Sequence, residues 1–131
     1  VDIFYKAKLD NSYECFLSED TALPMMYMND AIRGTIELME APAESITVRS
    51  AYNLSGCSFT PKELAENIAK KSPGFKISYN PDFRQNIANS WPKSIDDSVA
   101  CKDWGWKSKF DIEKIVDEML QNVNVEMYTS K

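Results

Sequence analysis

The sequence predicts an α/β fold, a small mixed sheet with flanking helices. Three observations carry that prediction. Short apolar runs and helical patterns alternate early in the chain, in the order helix, strand, strand, helix, strand, helix, strand, with three helices after them. Thr60-Pro61-Lys62-Glu63 is a capping box with proline at the first helical position, which predicts a helix over residues 61–71. Residues 24–28 and 75–79 are apolar or alternating runs too short for helices and suited to strands. The 131 residues are enough for one domain and too few for two ordinary ones.

Residues 1–8 carry Val1, Ile3, Phe4, Tyr5 and Ala7, the pattern of the end of an amphipathic helix, and Asp10-Asn11-Ser12 stops it. Residues 13–17 read as a short strand. The run Pro24-Met25-Met26-Tyr27-Met28 reads as a buried strand, with the methionines inside rather than lining a cofactor. Asn29 or Asp30 is placed to N-cap the next helix, which sets Ala31, Ile32, Thr35, Ile36 and Met39 on one face and ends at Pro42.

Val48, Ser50, Tyr52 and Leu54 alternate, which predicts a strand over 46–54, and Gly56 turns the chain. The capped helix faces the core with Leu64, Ala65 and Ile68, and Pro73-Gly74 breaks it. A strand over 75–79 and a short helix within 81–89 follow. Ser90-Trp91-Pro92 ends that helix, and Asp96-Asp97-Ser98 is a cap-like cluster before another. Trp104-Gly105-Trp106 is a turn with two packing anchors. Asp111 caps the last helix, whose inner side holds Ile112, Ile115, Val116, Met119 and Leu120. Residues 123–131 read as a tail.

Net charge is −5, and Lys70-Lys71 is the single adjacent basic pair, so a nucleic-acid partner is not expected: phosphate neutralisation needs a basic stripe. No apolar run approaches the roughly 20 residues of a membrane span. Cys15, Cys57 and Cys101 are widely spaced and odd in number, which fits reduced thiols rather than a disulfide framework or zinc site. The first residues, Val-Asp-Ile-Phe-Tyr, lack an initiating Met and a basic segment and read as the interior of a longer protein.

Much chemistry is missing. There is no histidine, which excludes histidine triads and histidine acid–base schemes from these residues. There is no G-x-G-x-x-G or G-x-x-x-x-G-K-[ST] loop. No tyrosine has a lysine four places on. Cys57, in a Gly-Cys-Ser turn, has no histidine base to activate it and reads as a structural thiol. The chain therefore carries no complete catalytic set.

Several stretches say more than composition does. They are Leu23-Pro-Met-Met-Tyr-Met-Asn-Asp-Ala-Ile-Arg-Gly-Thr-Ile-Glu-Leu-Met-Glu-Ala-Pro42, Ser50-Ala-Tyr-Asn-Leu-Ser-Gly56, Phe59-Thr-Pro61, Asp82-Phe-Arg-Gln85, Ser90-Trp-Pro92, Ile95-Asp-Asp-Ser98 and Asp103-Trp-Gly-Trp106. Together they resemble the C-terminal, substrate-binding portion of the short-chain type of NAD-dependent L-threonine 3-dehydrogenase. That family belongs to the extended short-chain dehydrogenases and is similar to UDP-galactose epimerase, with an NAD(P)-binding Rossmann-like fold. The resemblance covers residues 1–122.

The resemblance implies oxidation of L-threonine to 2-amino-3-oxobutyrate with NAD, in a parent protein that is commonly a homodimer. It places the dinucleotide loop and the catalytic tyrosine–lysine pair upstream of Val1. It implies that Trp91 reaches the substrate pocket, where its ring would cover a small amino acid; the alternative is a core anchor beside Pro92. Arg84 is a candidate to fork onto a substrate carboxylate, or to pair with Asp82 or face a domain interface. The bacterial cytoplasm and the mitochondrial matrix both suit the family and reduced cysteines. A stand-alone binding module and a portion of a nucleotide-sugar epimerase-like enzyme are the competing readings. Trp91 stands where a nucleotide-sugar enzyme usually offers an arginine, which favours the amino acid.

Overall fold

A computed structural model describes residues 1–126. Its elements are helix α1 (Asp2–Leu9), strands β1 (Ser12–Cys15) and β2 (Leu23–Met25), helix α2 (Met28–Glu40), a 3-10 turn (Ala43–Ser45), strand β3 (Cys57–Phe59), helix α3 (Pro61–Lys71), strand β4 (Lys76–Tyr79), and helices α4 (Arg84–Asn89), α5 (Ser98–Trp104) and α6 (Ile112–Asn122). The α/β class holds, with small sheets and flanking helices.

The strands do not share one sheet. β1 pairs with β4 in parallel, from Ser12 opposite Lys76 to Cys15 opposite Tyr79. β2 pairs antiparallel with β3, from Leu23 opposite Phe59 to Met25 opposite Cys57. The strand expected over 46–54 is absent, and β3 takes its place in the count. The reason is where the backbone groups go, since each N–H needs a partner. The N–H of Thr47 donates to Asp103, that of Val48 to the Tyr52 hydroxyl, and that of Ser55 to Asp97. Side chains thus take three of the donors around this segment that a strand ladder would otherwise use.

Both ends of the core are set by caps. Thr60 Oγ1 accepts from the Glu63 N–H at 3.2 Å, and the Glu63 carboxylate accepts from the Thr60 N–H at 2.8 Å. Asp111 accepts from the Lys114 N–H at 2.9 Å and starts α6. Helices α1, α3 and α6 then pack Ile3, Phe4, Ala7, Ala65, Ile68, Ile115 and Val116 into one cluster with Phe75. Burying each large side chain there stabilises the fold by about 1.5–3 kcal/mol. The ion pair Lys71–Asp117 at 2.8 Å joins α3 to α6 at the surface, where such pairs add at most about 1 kcal/mol.

The core also continues past the expected end of the domain. Val123 is buried in this cluster and Val125 packs on it. Residues 127–131 of the expected tail lie outside the described residues.

Helix α2 departs furthest from expectation. It begins at Met28, after Tyr27, with no side-chain cap; neither Asn29 nor Asp30 serves as one. Its apolar stripe faces out: Ile32 is 54% exposed, Ile36 48% and Met39 80%. Met25 and Met28 are exposed as well, so the methionine run is not a buried strand. The covered face instead holds Asp30 and Gly34. A Cβ on Gly34 would lie 2.7 Å from Leu54 Cδ1 and 2.8 Å from Trp106 Cζ3, so only glycine allows this approach.

At α5, Asp97 sits at the N-cap position without capping; its neighbour Asp96 accepts from the Ser98 N–H. Gly105 closes the helix at φ 78°, the left-handed conformation that glycine adopts freely. That turn sends the fully buried Trp106 under α2.

On an exposed helix position, Gly→Ala stabilises by about 1 kcal/mol. At Gly34 the sign reverses, and Gly34→Ala is expected to lower the unfolding free energy by roughly 1–3 kcal/mol through overpacking against Trp106. Urea denaturation of the two proteins checks this; a gain in stability would remove the close packing of α2 on Trp106.

Candidate functional site

Trp91 follows α4 by two residues. Its N–H donates to the Ala88 carbonyl at 3.1 Å, and both the N–H and the hydroxyl of Ser90 bond the Ile87 carbonyl. The Ser-Trp-Pro segment thus continues the last turn of α4 and ends it with the ring outside the helix. Trp91 is 57% exposed, an unusual state for so large an apolar group.

The ring borders two depressions. One, of about 430 Å³, is of mixed character, with polar groups of Ser18, Asp20, Thr21, Gln85, Asn89 and Lys93 beside the methyl groups of Ala22 and Ala88. The other, of about 150 Å³, is almost wholly apolar and is walled by Phe16, Leu17, Leu23, Ile87 and Ala88. A third cavity, of about 360 Å³, shares Leu17 and Leu23 with the apolar depression and extends to Ile3, Met25, Phe59 and Leu64. Its wall is mainly hydrocarbon and does not match a zwitterion.

Arg84 is on the apolar side of Trp91. Its guanidinium is engaged: Nε lies 3.0 Å from both oxygens of Asp82 and a terminal nitrogen 2.5 Å from one of them. It also stacks 3.4 Å from the centre of the Phe16 ring. The Arg84 hydrogen bonds hold the Asp82 carboxyl below the usual carboxylate range. Arg84 forms the ion pair with Asp82, one of the roles open to it.

Gln85 and its partners Ser18 and Thr21 are at this site but carried no signal of their own in the sequence. Gln85 lies within the Asp-Phe-Arg-Gln motif, yet an amide side chain on a helix is most often solvated. Only the fold brings residues 18–21 beside it.

Beneath the other end of the molecule, Asp30 is 1% exposed. One oxygen takes the Arg33 guanidinium at 2.7 Å; the other accepts the N–H groups of Lys109 and Phe110 at 2.8 and 3.0 Å. Burial alone would raise its carboxyl, but Arg33 and the two N–H groups outweigh that and hold it below the ordinary value. Arg33 also donates to the Lys107 carbonyl and lies 4.6 Å over the Trp106 ring. This arrangement is a scaffold: both carboxylate oxygens are held by donors of the protein.

The cysteines are free thiols. Burial pushes Cys57 up, with Asp111 and Asp30 adding to it, which opposes thiolate formation. Glycine-rich phosphate loops open a helix, whereas Gly34 lies inside α2, Gly56 precedes β3, Gly74 follows α3 and Gly105 follows α5. No group of histidine, cysteine and carboxylate side chains among the described residues is arranged for a metal.

Short helices around two small sheets, with a loop-borne tryptophan, form the α/β architecture of epimerase-like short-chain dehydrogenases. No protein-family model matches the chain. The mitochondrial L-threonine 3-dehydrogenase of Bos taurus is 52% identical over 121 residues, which is 92% of this chain and 32% of that protein. The holo form of the GalE-like L-threonine dehydrogenase from Cupriavidus necator superposes with a TM-score of 0.89 at 57% identity, over 94% of this chain and 40% of that one. The L-threonine dehydrogenase from Phytophthora infestans gives 0.88 at 48% identity, over 92% and 40%.

These homologues and structural neighbours are L-threonine 3-dehydrogenases of the epimerase-like, extended short-chain type, and the chain corresponds to a C-terminal portion of them. It spans about a third of the length of the curated relatives it matches.

Asp30 binds fewer protons folded than unfolded. Its contribution to stability is complete above its unfolded value of about 3.9 and is lost as pH falls through the lower folded value. Asp30→Asn is therefore expected to unfold more easily at neutral pH and to lose less stability between about pH 5 and about pH 2. Denaturant midpoints measured across that range check both parts.

Proposed function

We propose that this chain is the substrate-side portion of an NAD-dependent L-threonine 3-dehydrogenase, which oxidises the 3-hydroxyl of L-threonine and gives 2-amino-3-oxobutyrate. The observation that carries this is Trp91. A large ring stands on a loop, half out of the protein, between a hollow of mixed polar and apolar lining that includes Asp20 and Lys93 and a second hollow that is apolar. That surface suits a small molecule with a charged backbone and one methyl group. The identity to threonine dehydrogenases through this region supports the same reading.

Hydride acceptance belongs to NAD, and the residues that would hold it lie outside this chain. The chain's own part is to bind and to cover. The Trp91 ring closes over the amino acid and excludes water from the reacting carbon, which strengthens every electrostatic contact made there. Arg84, held by Asp82 and Phe16, stiffens the wall behind the ring. The exposed stripe of Met28, Ile32, Ile36 and Met39 on α2 supports packing against the dinucleotide-binding portion that the relatives possess.

The bovine relative is named as mitochondrial, which supports the matrix as the compartment of a eukaryotic source. No helix among the described residues is long and apolar enough to cross a membrane.

Two assays test the proposal. The 131-residue chain alone reduces no NAD in the presence of threonine, because it holds no acid–base pair and no dinucleotide turn; turnover from it would contradict the division of labour. In the enzyme that carries this chain, Trp91→Ala raises KM for threonine or lowers kcat by roughly tenfold or more. Unchanged steady-state kinetics would remove Trp91 from the substrate site.

A further inference from the structure

Helix α4 has six residues and buries none of them. So short a helix does not hold itself in water. Its lead-in is tied at the backbone, where the Asp82 N–H donates to the Phe16 carbonyl at 3.2 Å, and Arg84 lies over Phe16. These contacts fix the start of the helix and leave its far end, which carries Trp91, to be fixed by something else.

Gln85 is the side chain that reaches out. Its Oε1 accepts the Ser18 N–H at 2.8 Å and the Ser18 hydroxyl at 3.1 Å. Its Nε2 donates to Thr21 Oγ1 at 3.0 Å and to Asn89 Oδ1 at 2.7 Å. One amide thus spans the loop between β1 and β2 and the last residue of α4. Trp91 is two residues beyond Asn89, bonded back to the same turn. The loop that Gln85 grips joins Phe16 and Leu17 to Leu23, which form the wall facing the ring. Both sides of the Trp91 groove are therefore referred to one side chain.

We propose that Gln85 is a positioning residue that sets the place of the Trp91 ring and so the width of the substrate-facing groove. Its consequence for catalysis rests on the reading of Trp91 as a substrate contact; its mechanical part does not. The amide is needed in both halves. The oxygen holds the loop at Ser18, the nitrogen joins Thr21 of the loop to Asn89 at the helix end, and no other common side chain of this length both accepts and donates. Glutamate keeps the first function and loses the second.

The mechanical part is read on the full chain labelled with 5-fluorotryptophan, whose three tryptophans give three fluorine resonances. Gln85→Leu is expected to shift or broaden the Trp91 resonance and leave those of Trp104 and Trp106 in place. Gln85→Glu is expected to give a smaller change of the same kind, and it supplies the reading if Gln85→Leu does not fold. An unmoved Trp91 resonance overturns the proposal, and so do equal shifts of all three, which would mark a general role in the fold.

The catalytic part is read in the enzyme that carries this chain, with Gln85→Leu alone and combined with Trp91→Ala. Gln85→Leu is expected to raise KM for threonine about tenfold with a smaller change in kcat, and to add nothing once Trp91 is alanine. Full additivity of the two substitutions overturns the link through Trp91. If Trp91→Ala alone leaves the kinetics unchanged, the substrate reading fails while the fluorine result still decides the positioning of the ring.

Discussion

The carboxylate of Asp30 receives three donors while almost wholly out of water, and the middle of the chain is arranged around that fact. A buried carboxylate costs several kcal/mol unless its lone pairs are filled. Filling them fixes the backbone of Lys109 and Phe110, and so the entry to α6. It also fixes Arg33, which covers Trp106 and takes the Lys107 carbonyl. Trp106 in turn donates to the Ser55 carbonyl at 3.1 Å, and Ser55 is held through its N–H by Asp97 at the start of α5. Helix α2, the extended segment 46–56, α5 and α6 are thereby tied into one body with little regular sheet between them.

The Trp91 end is built on the opposite principle. No residue of α4 is buried, and its attachments are an ion pair, a stacked guanidinium and the Gln85 amide. Polar attachments in partial contact with water give low local stability. The Asp30 body, with its buried carboxylate and Trp106, is the more firmly packed part of the chain.

Sequence patterns located most elements because their causes are local. The Thr60 capping box, the Asp111 cap and the inner residues Ile115 and Val116 of α6 depend on residues within a turn or two of each other, and the structure has all of them. The failures are non-local. Alternation over 46–54 looks like a strand, but Asp103 and Tyr52 take its donors from far along the chain or across a turn. The stripe of α2 looks like a core face, but Gly34, which carries no apolar signal, is the point of close packing, and the stripe is left outward. Asp30 looks like a cap and is a buried hub, because its partners lie some 80 positions on.

At the candidate site, motif resemblance rather than periodicity singled out Trp91 and Arg84. Gln85 stayed hidden because its partners at Ser18 and Thr21 are more than 60 residues away.

The most direct measurement is a crystal structure of the enzyme carrying this chain with NAD and L-threonine bound. The Trp91 ring is predicted to lie in van der Waals contact with the amino acid, at about 4 Å, with no water between them. A threonine bound elsewhere, with Trp91 packed against protein or turned to solvent, would contradict the assignment of this chain as the substrate-covering portion.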